Sequence, residues 1–150
     1  MKGRFELSIR KAGKGDIKEI SNIFREESSK KPYLQEHTEK TSLIKIKDLF
    51  RNGHVYVIEV DKKVVGFSAS NIRYGKNAFI DEIWIKSAYH KKGIGKTLLG
   101  FVEDVYRKKG LKSIKLISDK KSGAFYFYKK LGYKEKSQYV LMVKKLGKRI

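Results

Sequence analysis

The stretch His90-Lys91-Lys92-Gly93-Ile94-Gly95-Lys96-Thr97 constrains this chain more than any other. Two glycines stand among lysines, and an apolar helical pattern begins directly behind them. Glycine lets a backbone curl until successive N–H groups face one point, and the positive end of a following helix dipole falls on that same point. The ligand that suits such a turn is an anion, above all a phosphate or pyrophosphate. Spacing separates this loop from two common phosphate motifs. A Walker A loop ends as Gly95-Lys96-Thr97 does, but its first glycine would fall at His90. A dinucleotide fingerprint needs a third glycine where Leu98 stands. What remains is a pyrophosphate loop of another kind, the alternative being a basic strand-to-helix turn with no ligand.

The pattern around the loop gives its setting. Phe5, Leu7 and Ile9 alternate with polar residues from Arg4 to Lys11, which predicts a half-buried strand. Asp16 is the expected N-cap of a helix, with Glu19 three positions on and Ile17, Ile20, Ile23 and Phe24 on one face. A loop from Ser28 to Glu36 holds the only proline, and a second helix runs from Thr38 to Arg51. His54 to Val60, apolar on both faces, reads as an internal strand, joined by the turn Asp61-Lys62-Lys63 to a strand from Val64 to Ser70. Ala78 to Ile85 is a further strand. Strict alternation would put Phe79, Asp81, Ile83 and Ile85 on one face and Ala78, Ile80, Glu82 and Trp84 on the other. The helix behind the glycine loop stops at Gly110, Ser113 to Ser118 is the next strand, and Gly132 closes a helix carrying Ala124, Phe127, Tyr128 and Leu131. Tyr139 to Val143 reads as a last strand before a basic tail from Lys144 to Arg149. The order β-α-α-β-β-β-α-β-α-β predicts a mixed α/β fold around one central sheet, in one domain over residues 1–150.

Composition narrows the chemistry. There is no cysteine and only three histidines, none at ligand spacing, so no metal site is expected. No apolar run is long enough for a membrane span and no signal region opens the chain, which predicts a cytoplasmic protein. Thirty-six Lys plus Arg against 16 Asp plus Glu give a net charge of +20. Such an excess draws any polyanion, whether coenzyme A, nucleic acid or an acidic protein, without choosing among them.

The glycine run resembles the Gln/Arg-x-x-Gly-x-Gly/Ala signature of the GCN5-related N-acetyltransferase (GNAT) family, with His90 at the Gln/Arg position. The segment from Lys121 to Tyr133 resembles the family's second signature, Asn-x-x-Ala-x-x-Phe-Tyr-x-Lys-x-Gly-Phe. Ala124, Phe127, Tyr128, Lys130 and Gly132 are in register, Lys121 stands at the Asn position and Tyr133 at the Phe. The likeness covers roughly Lys63 to Tyr133. It implies an acetyl-CoA-dependent N-acetyltransferase that passes acetyl directly to a primary amine on a protein lysine, an N-terminus or a small molecule. The cofactor's pyrophosphate would rest on His90, Lys91, Lys92, Gly93, Ile94, Gly95 and Lys96, with Lys121 and Lys130 nearby. Its pantetheine arm would lie along Ile83, Trp84 and Ile85.

An alkylamine with a pKa near ~10.4 is protonated at neutral pH and must lose its proton before it attacks. Asp81 and Glu82 are the carboxylates beside the loop; the resemblance makes Asp81 the base, while the alternation of the strand puts Glu82 on the opposite face. It makes Tyr128 the general acid for the departing thiolate. An acidic protein face carrying the amine suits the charge better than a polycation does, and monomer and homodimer both remain open. Two other readings stand beside this one. A basic nucleic-acid-binding domain accounts for the charge but not for two spaced motifs, and a non-catalytic coenzyme A-binding module accounts for His90 and Lys121.

Overall fold

The structure, a computed structural model, describes residues 6–136 and 138–148. Five strands form one sheet in the order β1 (Leu7–Lys11), β2 (His54–Val60), β3 (Lys63–Arg73), β4 (Asn77–Ile85) and β5 (Ile114–Lys115). The first four pair antiparallel, and β5 pairs parallel to β4. Helices α1 (Ile17–Ser28) and α2 (Glu39–Asn52) cover one face; α3 (Ile94–Lys108) and α4 (Gly123–Lys130) cover the other.

The sequence explains most of this. In β2, Val55 and Val57 pack under α1 and α2 with Ile20, Ile23, Phe24 and Ile46, while Ile58 and Val60 pack under α3 with Ile94 and Leu98. Residues apolar on both faces thus do make an internal strand. Asp61 and Lys62 both take positive φ, 49° and 68°, the two-residue turn whose twist matches a hairpin. Thr38 caps α2, accepting the Thr41 N–H at 3.0 Å. Gly110 and Gly132 follow α3 and α4 with φ of 84° and 95°, where a side chain would be strained.

Three expectations are corrected. Asp16 precedes α1, but its carboxylate turns back to the Gly13 N–H and to Arg10, each at 2.8 Å, and caps no α1 amide. The strand expected over 113–118 shrinks to two paired residues, because β5 parts from β4 beyond Phe79. No strand forms over 139–143: Tyr139, Val140, Leu141, Met142 and Val143 find no neighbouring strand and are 74–86% exposed. Arg4, Phe5 and Arg149 lie outside the described residues. Among those described, no helix is long and apolar enough to cross a membrane, and no group of His, Asp or Glu is arranged to hold a metal.

Candidate active site

The site is built on a fault in β4. Ala69 pairs with Glu82 and Ser70 with Ile80, so the register slips and Asp81 is left without a partner. This bulge resets the alternation. Ala78, Ile80, Ile83 and Ile85 all pack toward α3 and α4, and Trp84 packs toward α1 and α2. Asp81 therefore does not share a face with Ile83 and Ile85, nor does Glu82 oppose it. Asp81 binds Arg73 at 2.8 Å and accepts a hydrogen bond from Asn71, and Arg73 lies over the Phe79 ring at 3.8 Å. Glu82 accepts from the Trp84 indole N–H at 2.6 Å and pairs with Lys45 of α2 at 2.7 Å. Both carboxylates lie on the side of the sheet away from α3.

Beyond the pairs Ala78–Ile114 and Phe79–Lys115, β4 and β5 diverge. Ile80 to Trp84 form one wall of the opening and Leu116 to Asp119 the other, with Ala124 and Tyr128 of α4 and Tyr33 closing its ends. The edge of β4 that faces this opening has no strand beside it, which leaves backbone groups for an extended ligand. Ala124 and Tyr128, one turn apart on α4, point the same way. The helix is set by Ser122, a buried N-cap that accepts the Phe125 N–H at 3.2 Å and donates to the Asp119 carbonyl at 2.7 Å. Burial, then the neighbouring Tyr33 and Glu82, push the Tyr128 hydroxyl well above the usual phenol range. It keeps its proton throughout neutral pH.

The glycine loop begins at the end of the same strand. Gly93 is the N-cap of α3 with φ of 78°, and Lys91 also takes positive φ, 60°. The Gly93 carbonyl accepts both the N–H and the hydroxyl of Thr97. The amides of Ile94, Gly95 and Lys96 thus precede the first intrahelical bond and point out of the helix end. No acidic residue stands in this turn, no side chain caps it, and Lys91, Lys92 and Lys96 are exposed around it. An anionic group fits here. The two glycines differ. Gly93 is needed for its backbone conformation, whereas a Cβ on Gly95 would meet Phe127 at 3.6 Å and Ile85 at 3.8 Å, ordinary contacts. A methyl group would therefore fit at Gly95.

Of the residues singled out in the sequence, Asp81, Glu82, Ile83, Trp84 and Tyr128 line one opening. Ile94 belongs to the core, and the side chains of Ile83 and Ile85 are half-buried against it. Lys121 and Lys130 are exposed and do not line the opening. His90 turns its Nε2–H onto the Ile85 carbonyl at 2.6 Å. Sequence reasoning missed Tyr33, whose ring meets Trp84 edge-on at 5.0 Å, and the cation partners Arg73 and Lys45. A tyrosine in an irregular connection carries no periodic signal; Ser122, directly before a helical run, was readable as a cap.

Parted strands that end at an uncapped basic helix terminus define a fold suited to a long ligand with an anionic end. The acetyltransferase (GNAT) family profile matches residues 17–133, and this chain belongs to that family. It is 32% identical over 105 residues to the Bacillus subtilis protein YyaT, a match covering 65% of this chain and 68% of that protein. It is 35% identical over 88 residues to the N-acetyltransferase MJ1207 of Methanocaldococcus jannaschii, covering 54% of this chain and 39% of that longer protein. Among solved structures, a possible acetyltransferase from Clostridium difficile 630 superposes with a TM-score of 0.79 at 18% identity, over 94% of this chain and 99% of the other. The aminoglycoside N-acetyltransferase AAC(6')-Iy, solved in complex with CoA, gives 0.77 at 15% identity, over 97% and 99%. These two likenesses show the shared fold.

Proposed function

We propose that this chain is an acetyl-CoA-dependent N-acetyltransferase acting by direct transfer to a primary amine. The observation that carries the reading is that Tyr128, Asp81 and Glu82 line one opening between β4 and β5, while the open amides of Ile94, Gly95 and Lys96 follow β4 in the chain. Those amides and the lysines about them suit the cofactor's pyrophosphate, and the free edge at Ile83, Trp84 and Ile85 suits its amide-bearing arm. Acetyl-CoA, when bound, supplies an activated acyl group with a thiolate leaving group.

Glu82 takes the proton of the acceptor amine. The resemblance names Asp81, but Glu82 is the carboxylate whose charge Tyr128 feels; each of the two has a cation partner, Lys45 for Glu82 and Arg73 for Asp81. A backbone N–H of β4 faces the oxygen on which charge grows during attack, and Tyr128 delivers its proton to the sulfur that leaves. The acceptor presents one amine on a neutral or acidic carrier, such as a lysine or N-terminus on an acidic protein face. Both carboxylates in the opening already have a cation partner, and the chain's +20 charge opposes a polycation.

Release of free thiol from acetyl-CoA across a panel of amines and peptides tests the activity. Coenzyme A at 100 times its Kd should add about 2.7 kcal/mol, roughly 5 to 10 °C of Tm. A shift no greater than pyrophosphate alone produces would leave only a generic anion site.

A further inference from the structure

Both carboxylate oxygens of Glu82 are engaged. Oε2 accepts the Trp84 indole N–H at 2.6 Å, and Oε1 pairs at 2.7 Å with the ammonium of Lys45, which α2 brings to the same place. The ammonium is located from a second side as well. Its Nζ stands 5.0 Å from the centre of the Phe24 ring, and Phe24 meets Trp84 edge-on at 6.1 Å. The cause lies in α2, where Ser42 and Ile46 are fully buried. Lys45, three residues after one and directly before the other, falls at the border of that face and is half-buried, whereas Lys47 on the same helix is exposed.

Glu82 lines the opening between β4 and β5, and its bond to α2 puts its carboxylate on the α1–α2 side of the sheet. An amine that reaches Glu82 comes from that side, and Lys45 is already there. Arg73 is the cation paired with the other carboxylate, Asp81, but a guanidinium keeps its protons and does not attack. Among the ion pairs of the described residues, Lys45–Glu82 is thus the one that joins a primary amine to the opening. A flexible four-carbon stem lets such an amine turn from its carboxylate to a neighbouring acyl carbon while the helix stays in place.

We propose that Lys45 is an acetyl acceptor of the chain itself, its Nζ taking the acetyl group of bound acetyl-CoA in an intramolecular reaction served by Glu82 and Tyr128. The self-acetylation rests on the acetyl-transfer reading. Glu82 takes one proton from the ammonium, and the freed lone pair of the nitrogen forms a C–N bond to the acyl carbon while the C–S bond breaks and its electron pair leaves on sulfur. Tyr128 gives sulfur its proton and regains one from the nitrogen. The products are Nε-acetyl-Lys45, free thiol and the one proton that Glu82 passes to water. The new amide carries no charge, so Glu82 loses its cation partner, keeps the Trp84 bond and presents Oε1 to an external amine.

Incubation of the full chain with acetyl-CoA and no other amine, followed by peptide mass spectrometry, tests it. One acetyl group should appear on Lys45, with one equivalent of thiol released, well ahead of any on exposed Lys47. Diluting the chain about 100-fold at fixed acetyl-CoA should leave the half-time unchanged, since nucleophile and base belong to one molecule. Tyr128→Phe should slow the modification by about 100-fold or more, and any acetyl that Lys45 already carries on purification should be missing from that variant. Lys45→Arg keeps a cation beside Glu82 and should gain acetyl no faster than the exposed lysines do. Trp84 is the one tryptophan of the chain and its indole is bonded to Glu82, so its fluorescence reports on the pair independently of turnover. The acetylated chain and unreacted Lys45→Gln, in both of which Glu82 has lost its cation, should share one shifted emission. Lys45 modified no faster than Lys47, a rate indifferent to Tyr128→Phe, a half-time that lengthens on dilution, or an acetylated chain with the parent's emission would each overturn the proposal. If external amines release thiol from acetyl-CoA while Lys45 stays unmodified, self-acetylation fails and the N-acetyltransferase reading stands. If neither Lys45 nor any amine takes the acetyl group and coenzyme A shifts Tm no more than pyrophosphate does, both fail.

Discussion

The imidazole of His90 lies 2.6 Å from the carbonyl oxygen of Ile85, tying the first residue of the glycine loop to the last residue of β4. A carbonyl can only accept, so Nε2 carries the hydrogen. Where the family motif has Gln or Arg, this chain thus uses a side chain turned inward, onto its own strand. The loop's remaining means of holding an anion are the amides of Ile94, Gly95 and Lys96 and the lysines around them.

His90→Ala removes that tie without touching the amides. One hydrogen bond contributes about 0.5 to 1.5 kcal/mol, so coenzyme A should bind roughly 2- to 10-fold more weakly by calorimetry, with kcat little changed. His90→Gln, which retains a donor, should recover part of the loss. A loss above 100-fold in His90→Ala would mean that His90 contacts the ligand directly.

How much of this was legible depended on whether a feature has a local cause. Gly93 was, because a positive φ ahead of an apolar helical pattern leaves its mark in the sequence. So was β2, whose doubly apolar run follows from burial on both faces. The bulge at Asp81 was not: it adds no unusual residue, and strict alternation assigned the wrong faces beyond it. Tyr139 to Val143 fit a pleated surface well, but strand propensity describes the fit and not the presence of a neighbour, and β5 is not beside them. The shortening of β5 has the same origin as the site itself, since the divergence that ends its pairing opens the space that Tyr128 and Glu82 line. Tyr33 comes from the connection between α1 and α2 and could only be found once that connection was placed.

Gly66 tests the scaffold beneath the site. It pairs with Ile85, and a Cβ there would stand 2.8 Å from the Trp84 carbonyl oxygen and 2.4 Å from Ile85 Cδ1. The isoleucine tip can turn aside; the backbone oxygen cannot without moving β4. Gly66→Ala should therefore lower stability by about 1 to 3 kcal/mol, as overpacked sites do, and Tm by roughly 2 to 12 °C. An unchanged Tm in a thermal melt would show that β3 and β4 separate freely at this end.

Alkaline pH should unfold the protein through its tyrosines. Burial, and for Tyr133 also the bond its hydroxyl donates to Glu103 at 2.8 Å, raise the Tyr128 and Tyr133 hydroxyls above their ordinary 10.0. A group whose folded pKa is raised contributes stability that is whole below the unfolded value and lost as pH climbs through the folded one. Tm should hold up to about pH 10 and fall above it, and Tyr133→Phe should lessen the slope of the unfolding free energy against pH by about 1.4 kcal/mol per pH unit, the share of one proton. A Tyr133→Phe variant with the parent's slope would mean that this hydroxyl ionises equally in both states.

The proposed chemistry gives roles to Tyr128 and the two carboxylates, and three variants separate them. Tyr128→Phe keeps the ring against the core and removes only the proton, so coenzyme A affinity and Tm should stay near those of the parent while kcat falls about 100- to 10,000-fold. Since the hydroxyl holds its proton above the ordinary phenol range, that loss should be uniform from pH 6 to 9, scaling the rate profile without moving its limbs. Glu82→Gln removes the proton acceptor and should flatten the acidic limb of kcat/KM, where the rate otherwise rises as the base ionises. Asp81→Asn loses its pairing with Arg73 but leaves Glu82, Lys45 and Trp84 in place, and should cost less than 10-fold with the acidic limb intact. If Asp81→Asn flattens that limb and Glu82→Gln does not, the base is Asp81 and the acceptor approaches from the Arg73 side of the bulge. A change under threefold for Tyr128→Phe would remove the tyrosine from proton transfer altogether.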